Sequence, residues 1–185
     1  LAKHNRMFGP DPSNHDVTTM GSVLALDNSG SHWLKYRSPR FHVEELEVVL
    51  ADGSVLRLNR ESNTETLCAI PIKQALSDPA EAPTVSRLDE IQDRIRSILT
   101  THQQTIVEHT PKAPVHRCGY HLNKLLRDDH LDLTKLLVGS EGTLGLITEA
   151  TVRTTPIPEQ TGVLLLFFDR IDKATQASQL LGNMD

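Results

Sequence analysis

The chain has 185 residues and a net charge of −5, with 38% hydrophobic and 23% charged residues. That balance fits a folded globular chain rather than a disordered or fibrous one, and the acidity argues against a nucleic-acid binder. No apolar run reaches the roughly 18 residues of a membrane span, and two cysteines, Cys68 and Cys118, with no CxxC spacing exclude a disulfide scaffold and a zinc ribbon.

Residues 1–20 are polar and rich in turn formers. Phe8 to Asn14 includes Pro10 and Pro12, which fix φ and restrict the residues before them, so this stretch is an extended loop. The chain opens on Leu1 with no charged leader before an apolar stretch, so no signal peptide is visible. It stops at Asp185, in or just after a helical pattern, and the expectation is a fragment of a longer protein.

A short helix is placed between Ser22 and Leu26, in a segment from 21 to 40 that is otherwise loop. Val43–Leu50 and Val55–Leu58 are β-rich runs joined by Ala51-Asp52-Gly53-Ser54, a hairpin signature because glycine accepts positive φ. Residues 59–85, with Pro71, Pro79 and Pro83, form a long surface excursion. Ser86 then caps a helix of about five turns, Arg87 to Val107, with one apolar stripe through Leu88, Ile91, Ile95, Ile98, Leu99 and Ile106. Pro111 and Pro114 end it.

Two short helical patterns follow, Leu122–Leu126 and Leu133–Leu137. A glycine loop, Gly139 to Gly145, leads into a strand from Leu146 to Thr154. Val163–Phe168 reads as an apolar strand and Ile171–Leu181 as a helix, a β–α unit without a partner in the chain.

Nine histidines raise the question of a metal site, but none has HxH or HxxxH spacing, and no metal ligand or catalytic residue is assigned. The glycine loop is the most informative segment. Glycines at 139, 142 and 145 let backbone approach something flat or charged, or expose N–H groups as an anion nest; a plain tight turn is the alternative. It is not a P-loop, which needs Gly-Lys-Ser/Thr. It is not a dinucleotide fingerprint, since the spacing is GxxGxxG and the loop precedes a strand. It is not a nucleophile elbow, since Val138 stands where glycine is required. Asp11, Asp27 and Glu141 are candidate polar contacts to a cofactor, with a solvated or capping role as the plainer alternative. Tyr36 and Trp33 could stack on a ring or lie in the core, and Trp33 favours the core.

Leu137 to Thr151, with Gly139-Ser140-Glu141-Gly142-Thr143-Leu144-Gly145 at its centre, resembles the signature of the FAD-linked oxidases of the vanillyl-alcohol-oxidase / PCMH type. Phe8–Ser13 resembles that family's proline-rich stretch, Gly21–Tyr36 its flavin loop, and Glu47–Gly53 its hairpin. Within the family the chain is similar to glycolate oxidase D-subunit-like and D-lactate / D-2-hydroxyglutarate dehydrogenases, in a branch often fused to an iron–sulfur module.

The resemblance implies an α+β fold: the second subdomain of a PCMH-type FAD-binding domain over residues 1–158, an antiparallel sheet flanked by helices, and the truncated start of a substrate-binding cap over 159–185. It implies FAD as cofactor of the intact protein, with any iron–sulfur clusters in a part outside these residues. Pro12, Ser13, Met20, Gly21, Asn28, Ser29, Gly30, Glu141, Gly142 and Ile147 would face the flavin, through main chain near Ile147. The family usually has Gly-Gly at Gly21-Ser22, often Asn at Asp27, and Tyr-Gly at Tyr36-Arg37.

The implied activity is oxidation of a small 2-hydroxy acid by hydride transfer to flavin; the alternatives are a non-catalytic flavin-fold module and a relative of the enolpyruvyl-sugar reductases. The implied location is the cytoplasm, or the inner membrane face as a peripheral protein, with no nucleic-acid partner. Without the first subdomain, the fragment would hold little FAD and would self-associate through its exposed flavin wall.

Overall fold

The computed structural model describes residues 1–60, 87–113, 116, 118–127 and 130–182. Cys68, the Ser86 cap and the excursion expected before it lie outside these residues, apart from Asn59 and Arg60. The chain divides into two compact units, Phe8–Thr154 and a smaller one that joins Leu1–Met7 to the segment from Thr155 onward.

The larger unit is mixed α+β. Its centre is an antiparallel sheet in the order β3-β2-β6, formed by β2 (Val43–Val49), β3 (Val55–Asn59) and β6 (Leu146–Val152). The hairpin expected around Asp52-Gly53 is present: Val49 pairs with Val55 and Gly53 has φ +82°. The sheet also unites the hairpin with the strand after the glycine loop, as the β-rich runs predicted.

The burial pattern of β2 departs from strict alternation, with Val43, Leu46 and Val48 buried. Two register shifts against β6 explain this: Val43 faces Val152 while Glu45 faces Thr151, so Glu44 is an extra residue. A bulge of this kind shifts which residues point inward. A second shift makes Thr148 the extra residue on β6, where its hydroxyl donates to Glu47 Oε1 at 2.9 Å.

The long helix is two segments. α3 (Arg87–Thr101) and α4 (Gln103–His109) are interrupted at His102, and α4 ends before Pro111. Leu88 and Leu99 are buried, and Ile91, Ile95 and Ile106 pack against the core, but Ile98 is 51% exposed. A spacing of 88, 91, 95 and 99 keeps one face of a 3.6-residue helix. Leu99 takes the inward place, so Ile98 is displaced to the solvent side.

Residues 21–40 hold more structure than their loop-like composition suggests. α1 (Met20–Ala25) is capped by Thr19, whose Oγ1 accepts from the Ser22 N–H at 3.2 Å. α2 (Trp33–Tyr36) and a 3-10 turn at Pro39–Phe41 follow. Trp33 and Tyr36 are half-buried rather than core. The first expected helix after residue 119 is a 3-10 turn, Leu122–Lys124, leading into a short hairpin of β4 (Leu126–Arg127) and β5 (His130–Leu131); the second is α5 (Thr134–Leu137).

In the smaller unit β1 (Arg6–Met7) pairs with β7 (Thr155–Pro156), and α6 (Ile171–Gly182) is the helix expected at the end. The apolar strand expected over Val163–Phe168 does not form. The segment is irregular and all six side chains are exposed, Val163 at 99% and Phe167 at 86%. No strand pairs with it among the described residues, and an isolated strand leaves its backbone groups without ladder partners.

Candidate functional site

The glycine loop docks on the end of α1. The Gly139 N–H donates to Leu24 O and the Glu141 N–H to Ala25 O, both at 2.9 Å. The Ser140 and Thr143 N–H groups donate within the loop, to Leu137 O and Ser140 O. Those four donors are therefore spent, which corrects the notion that they form an anion nest.

The three glycines are not equivalent. A Cβ on Gly139 would lie 2.3 Å from Arg40 Nη2, and one on Gly145 would lie 2.6 Å from Val48 Cγ1. Both are closed by packing inside the chain. A Cβ on Gly142 would meet nothing within 4 Å among the described residues. Of the three, only Gly142 has backbone open to a ligand.

Beneath the loop lies a buried lock. Asp27, expected as a candidate cofactor contact, is 1% exposed and is spent internally. Its Oδ2 accepts from Ser38 Oγ and its Oδ1 from the Arg40 N–H, each at 2.9 Å, and Arg40 Nε stands 3.4 Å from Oδ2. Arg40 Nη2 donates to Val138 O at 2.6 Å, just before Gly139. Burial pulls the Arg40 pKa down and the Asp27 charge opposes the shift. Asp27 also has φ +51°, a left-handed conformation that Asn and Asp tolerate.

A second contact joins the proline-rich stretch to the loop after α1. Gly30 N–H donates to Pro10 O at 2.8 Å, and a Cβ on Gly30 would lie 1.9 Å from Asp11 O. Asn28 Nδ2 donates to Asn14 Oδ1 at 2.8 Å. Pro12 is buried while Ser13 is exposed, and the Ser29 hydroxyl is buried without a hydrogen-bond partner among the described residues. Met20 is 43% exposed. A Cβ on Gly21 would touch only Thr19 Oγ1, at 3.9 Å. Glu141 is exposed with φ +55°, Asp11 is exposed and 3.6 Å from His32, and the half-buried Ile147 packs its side chain against the core. The residues singled out in sequence thus converge in pairs: 10–14 with 28–30, and 24–25 with 139–141.

Of the three positions that depart from the expected pattern, Ser22 and Asp27 are explained locally, Asp27 by its bonds to Ser38 and Arg40, and Arg37 is not. Ser22 lies in the first turn of α1 and shares a hydroxyl contact with Thr19 at 3.1 Å. Arg37 has φ +62° and ψ −162°, a region nearly confined to glycine.

Sequence spacing missed a further cluster. His116 and His121 bring their rings within 5.1 Å, although five positions separate them. His121 titrates at about 4, below the ordinary histidine value. Burial is the main cause, followed by the positive charges of Arg40, His116 and Lys124. Among the described residues, no group of His, Cys, Asp and Glu is arranged to hold a metal ion, and no helix is long and apolar enough to cross a membrane.

Residues 1–59 match the FAD binding domain family. The chain is 31% identical over 177 residues to a D-2-hydroxyglutarate dehydrogenase of Pantoea ananatis, covering 94% of this chain and 16% of that protein. It is 28% identical to the glycolate oxidase subunit GlcD of Bacillus subtilis, over 91% of this chain and 23% of that protein. It is 45% identical to the mitochondrial D-lactate dehydrogenase (cytochrome) of Arabidopsis thaliana, over 89% of this chain and 28% of that protein. The chain is thus related to 2-hydroxy-acid dehydrogenases and oxidases, and spans less than a third of each of these relatives.

Proposed function

We propose that this chain is part of an FAD-dependent oxidoreductase acting on a small 2-hydroxy acid, and that its larger unit forms one wall of the flavin site. Pro12, Ser13, Met20, Gly21, Asn28, Ser29, Gly30, Glu141, Gly142 and main chain near Ile147 belong to that wall. Residues 1–158 are assigned to the flavin domain, and 159–185 to the start of a cap that binds substrate.

The observation that carries the reading is the openness of Gly21 and Gly142, where backbone can approach a planar ligand without a side chain between. The unpartnered Ser29 hydroxyl supports it, because a buried polar group is stabilised by the hydrogen bond a ligand can supply. FAD, when bound, supplies acceptance of a hydride from the α-carbon of the hydroxy acid. The residues here bind and orient. Met20 and Gly21 offer an apolar face at the start of α1, and Gly142 offers backbone. Asp27 and Arg40 hold the loop that carries Gly142 against α1.

The reading is tested by recording flavin absorbance after adding FAD to residues 1–185 and to a longer parent that includes the regions present in the relatives. The parent is expected to hold stoichiometric flavin and the 185-residue chain little, because contacts from the first subdomain are lost and each 1.4 kcal/mol weakens binding about tenfold. Equal affinity in the two would refute the two-subdomain site. A folded parent without flavin would refute the cofactor assignment.

A further inference from the structure

Two stretches of the sequence carry basic side chains and no acid: residues 28–43 and 109–127. The fold turns the two stretches toward each other. They wall most of a cleft of about 710 Å³ between α2 and the Pro39–Phe41 turn on one side and the end of α4, His116 and residues 120–124 on the other. Arg37, Arg40, His109, His116, His121 and Lys124 line it, and no Asp or Glu does.

Three buried side-chain nitrogens in this lining, Arg40 Nε and Nη1 and His121 Nε2, have no hydrogen bond among the described residues. Arg40 is 3% exposed; its Nε and Nη2 are turned to Asp27 and Val138, but Nη1 has no hydrogen bond among the described residues. The buried His121 Nε2 is also without one. Asp27 offsets part of the Arg40 charge, whereas Arg37 and Lys124 have no ion-pair partner among the described residues. A guanidinium fork matches the geometry of a carboxylate or phosphate group.

We propose that this cleft is an anion-binding site, distinct from the flavin wall, that takes an oxyanion group between Arg40, His121 and Lys124. Trp33 and Tyr120 leave room beside it for an organic body. The site is coupled to protons. Burial, and after it the charges of Arg40, His116 and Lys124, keep His121 neutral; Arg37 and His109 stand in the same lining. A bound anion opposes that field and raises the proton affinity of His121. The hydrogen bond to the His116 backbone occupies the other ring nitrogen, so protonation adds a donor at Nε2.

The test is a titration of the full chain with inorganic phosphate and, separately, glutarate, followed by NMR of the histidine rings. Saturable shifts of His116 and His121 are expected, with an increase in the proton affinity of His121 of roughly tenfold or more. The more effective ion distinguishes a phosphate ligand from a carboxylate one. The exposed double variant Arg37→Gln/Lys124→Gln should weaken binding about tenfold, whereas Lys3→Gln, in the other unit, should leave it unchanged. Circular dichroism confirms that both retain the fold. Absence of saturable shifts overturns the proposal, as does equal binding by the double variant. Competition by FAD would show that the cleft belongs to the flavin site and end the claim of a separate one, whereas failure of FAD to bind leaves the phosphate titration fully readable.

Discussion

The first two glycines of the glycine loop make opposite use of one conformation. Gly139 and Gly142 both have positive φ, +82° and +76°, so either would be strained by a side chain. At Gly139 the missing Cβ is filled by a buried guanidinium; at Gly142 it is filled by nothing. The first glycine therefore belongs to folding and the second is free for binding. A repeated glycine motif is not evidence that every glycine touches a ligand.

The largest effect that would break this contrast is at Gly139. Gly139→Ala adds left-handed strain of about 1–2 kcal/mol and drives a methyl group into Arg40. Displacing Arg40 leaves Asp27 a buried charge without its partner, which costs about 3–5 kcal/mol. That approaches the whole stability of a domain. Loss of cooperative unfolding is expected in a urea titration. Gly142→Ala carries similar strain and no clash, so it should remain folded, about 1 kcal/mol less stable, while flavin binding by the longer parent falls. If the two variants unfold at the same urea concentration, the distinction is void.

A smaller contrast runs along α3. Ile95 packs on the core and Ile98 is half exposed. Ile95→Ala should cost about 2 kcal/mol and Ile98→Ala under about 0.5 kcal/mol, read as the difference between two thermal melts.

What the sequence made legible was local. The Asp52-Gly53 turn and the β-rich run after Gly145 carry their signals within a few residues and lie where the pattern put them, and the short helix expected over Ser22–Leu26 is present but begins two residues earlier, at Met20. Features that depend on distant partners were not legible. Val163–Phe168 has strand composition, but a strand needs an edge. Asp27 looked like one loop carboxylate among several; its burial is decided by Arg40 and by Val138, about a hundred positions away. The His116–His121 contact has no metal-like spacing to announce it. The acid-free stretches 28–43 and 109–127 were visible, but nothing in the sequence says that they meet.

Acid should separate the buried polar groups from the exposed ones. Burial alone would raise the Asp132 pKa, but hydrogen bonds from Lys135 and Thr134 lower it below the ordinary aspartate value. Its contribution is full above about pH 4 and is lost as pH falls through the lower folded value. His121 is also depressed, to about 4. Between roughly pH 6.5 and 4 the unfolded chain binds the extra proton, so stability declines across that window as pH falls. The urea midpoint should therefore fall in two stages, and His121→Gln should remove the upper stage alone. A midpoint flat from pH 6.5 to 4 in the unsubstituted chain would contradict the half-buried, cation-flanked state of His121.

The smallest expected effect is a gain. Arg37 occupies φ +62° and ψ −162°, where a Cβ costs energy and glycine does not. Arg37→Gly should relieve about 1–3 kcal/mol of strain. Against this, glycine enlarges the unfolded ensemble by about 0.4–1 kcal/mol, and the stacking of Arg37 on Phe41, centred at 5.2 Å, is lost; an exposed cation–π contact is worth about 0.5–1 kcal/mol. The balance runs from about −1 to about +2 kcal/mol and centres on a stabilisation of about 0.5 kcal/mol, a rise of a few degrees in the melting temperature. The same change removes one cation from the basic cleft. A strained arginine retained where glycine fits better is accounted for if its charge serves that cleft. Arg37→Gly should then be more stable and bind phosphate less tightly. If it is more stable with unchanged phosphate binding, the charge does not serve the cleft; if it is less stable, the Phe41 contact outweighs the backbone strain.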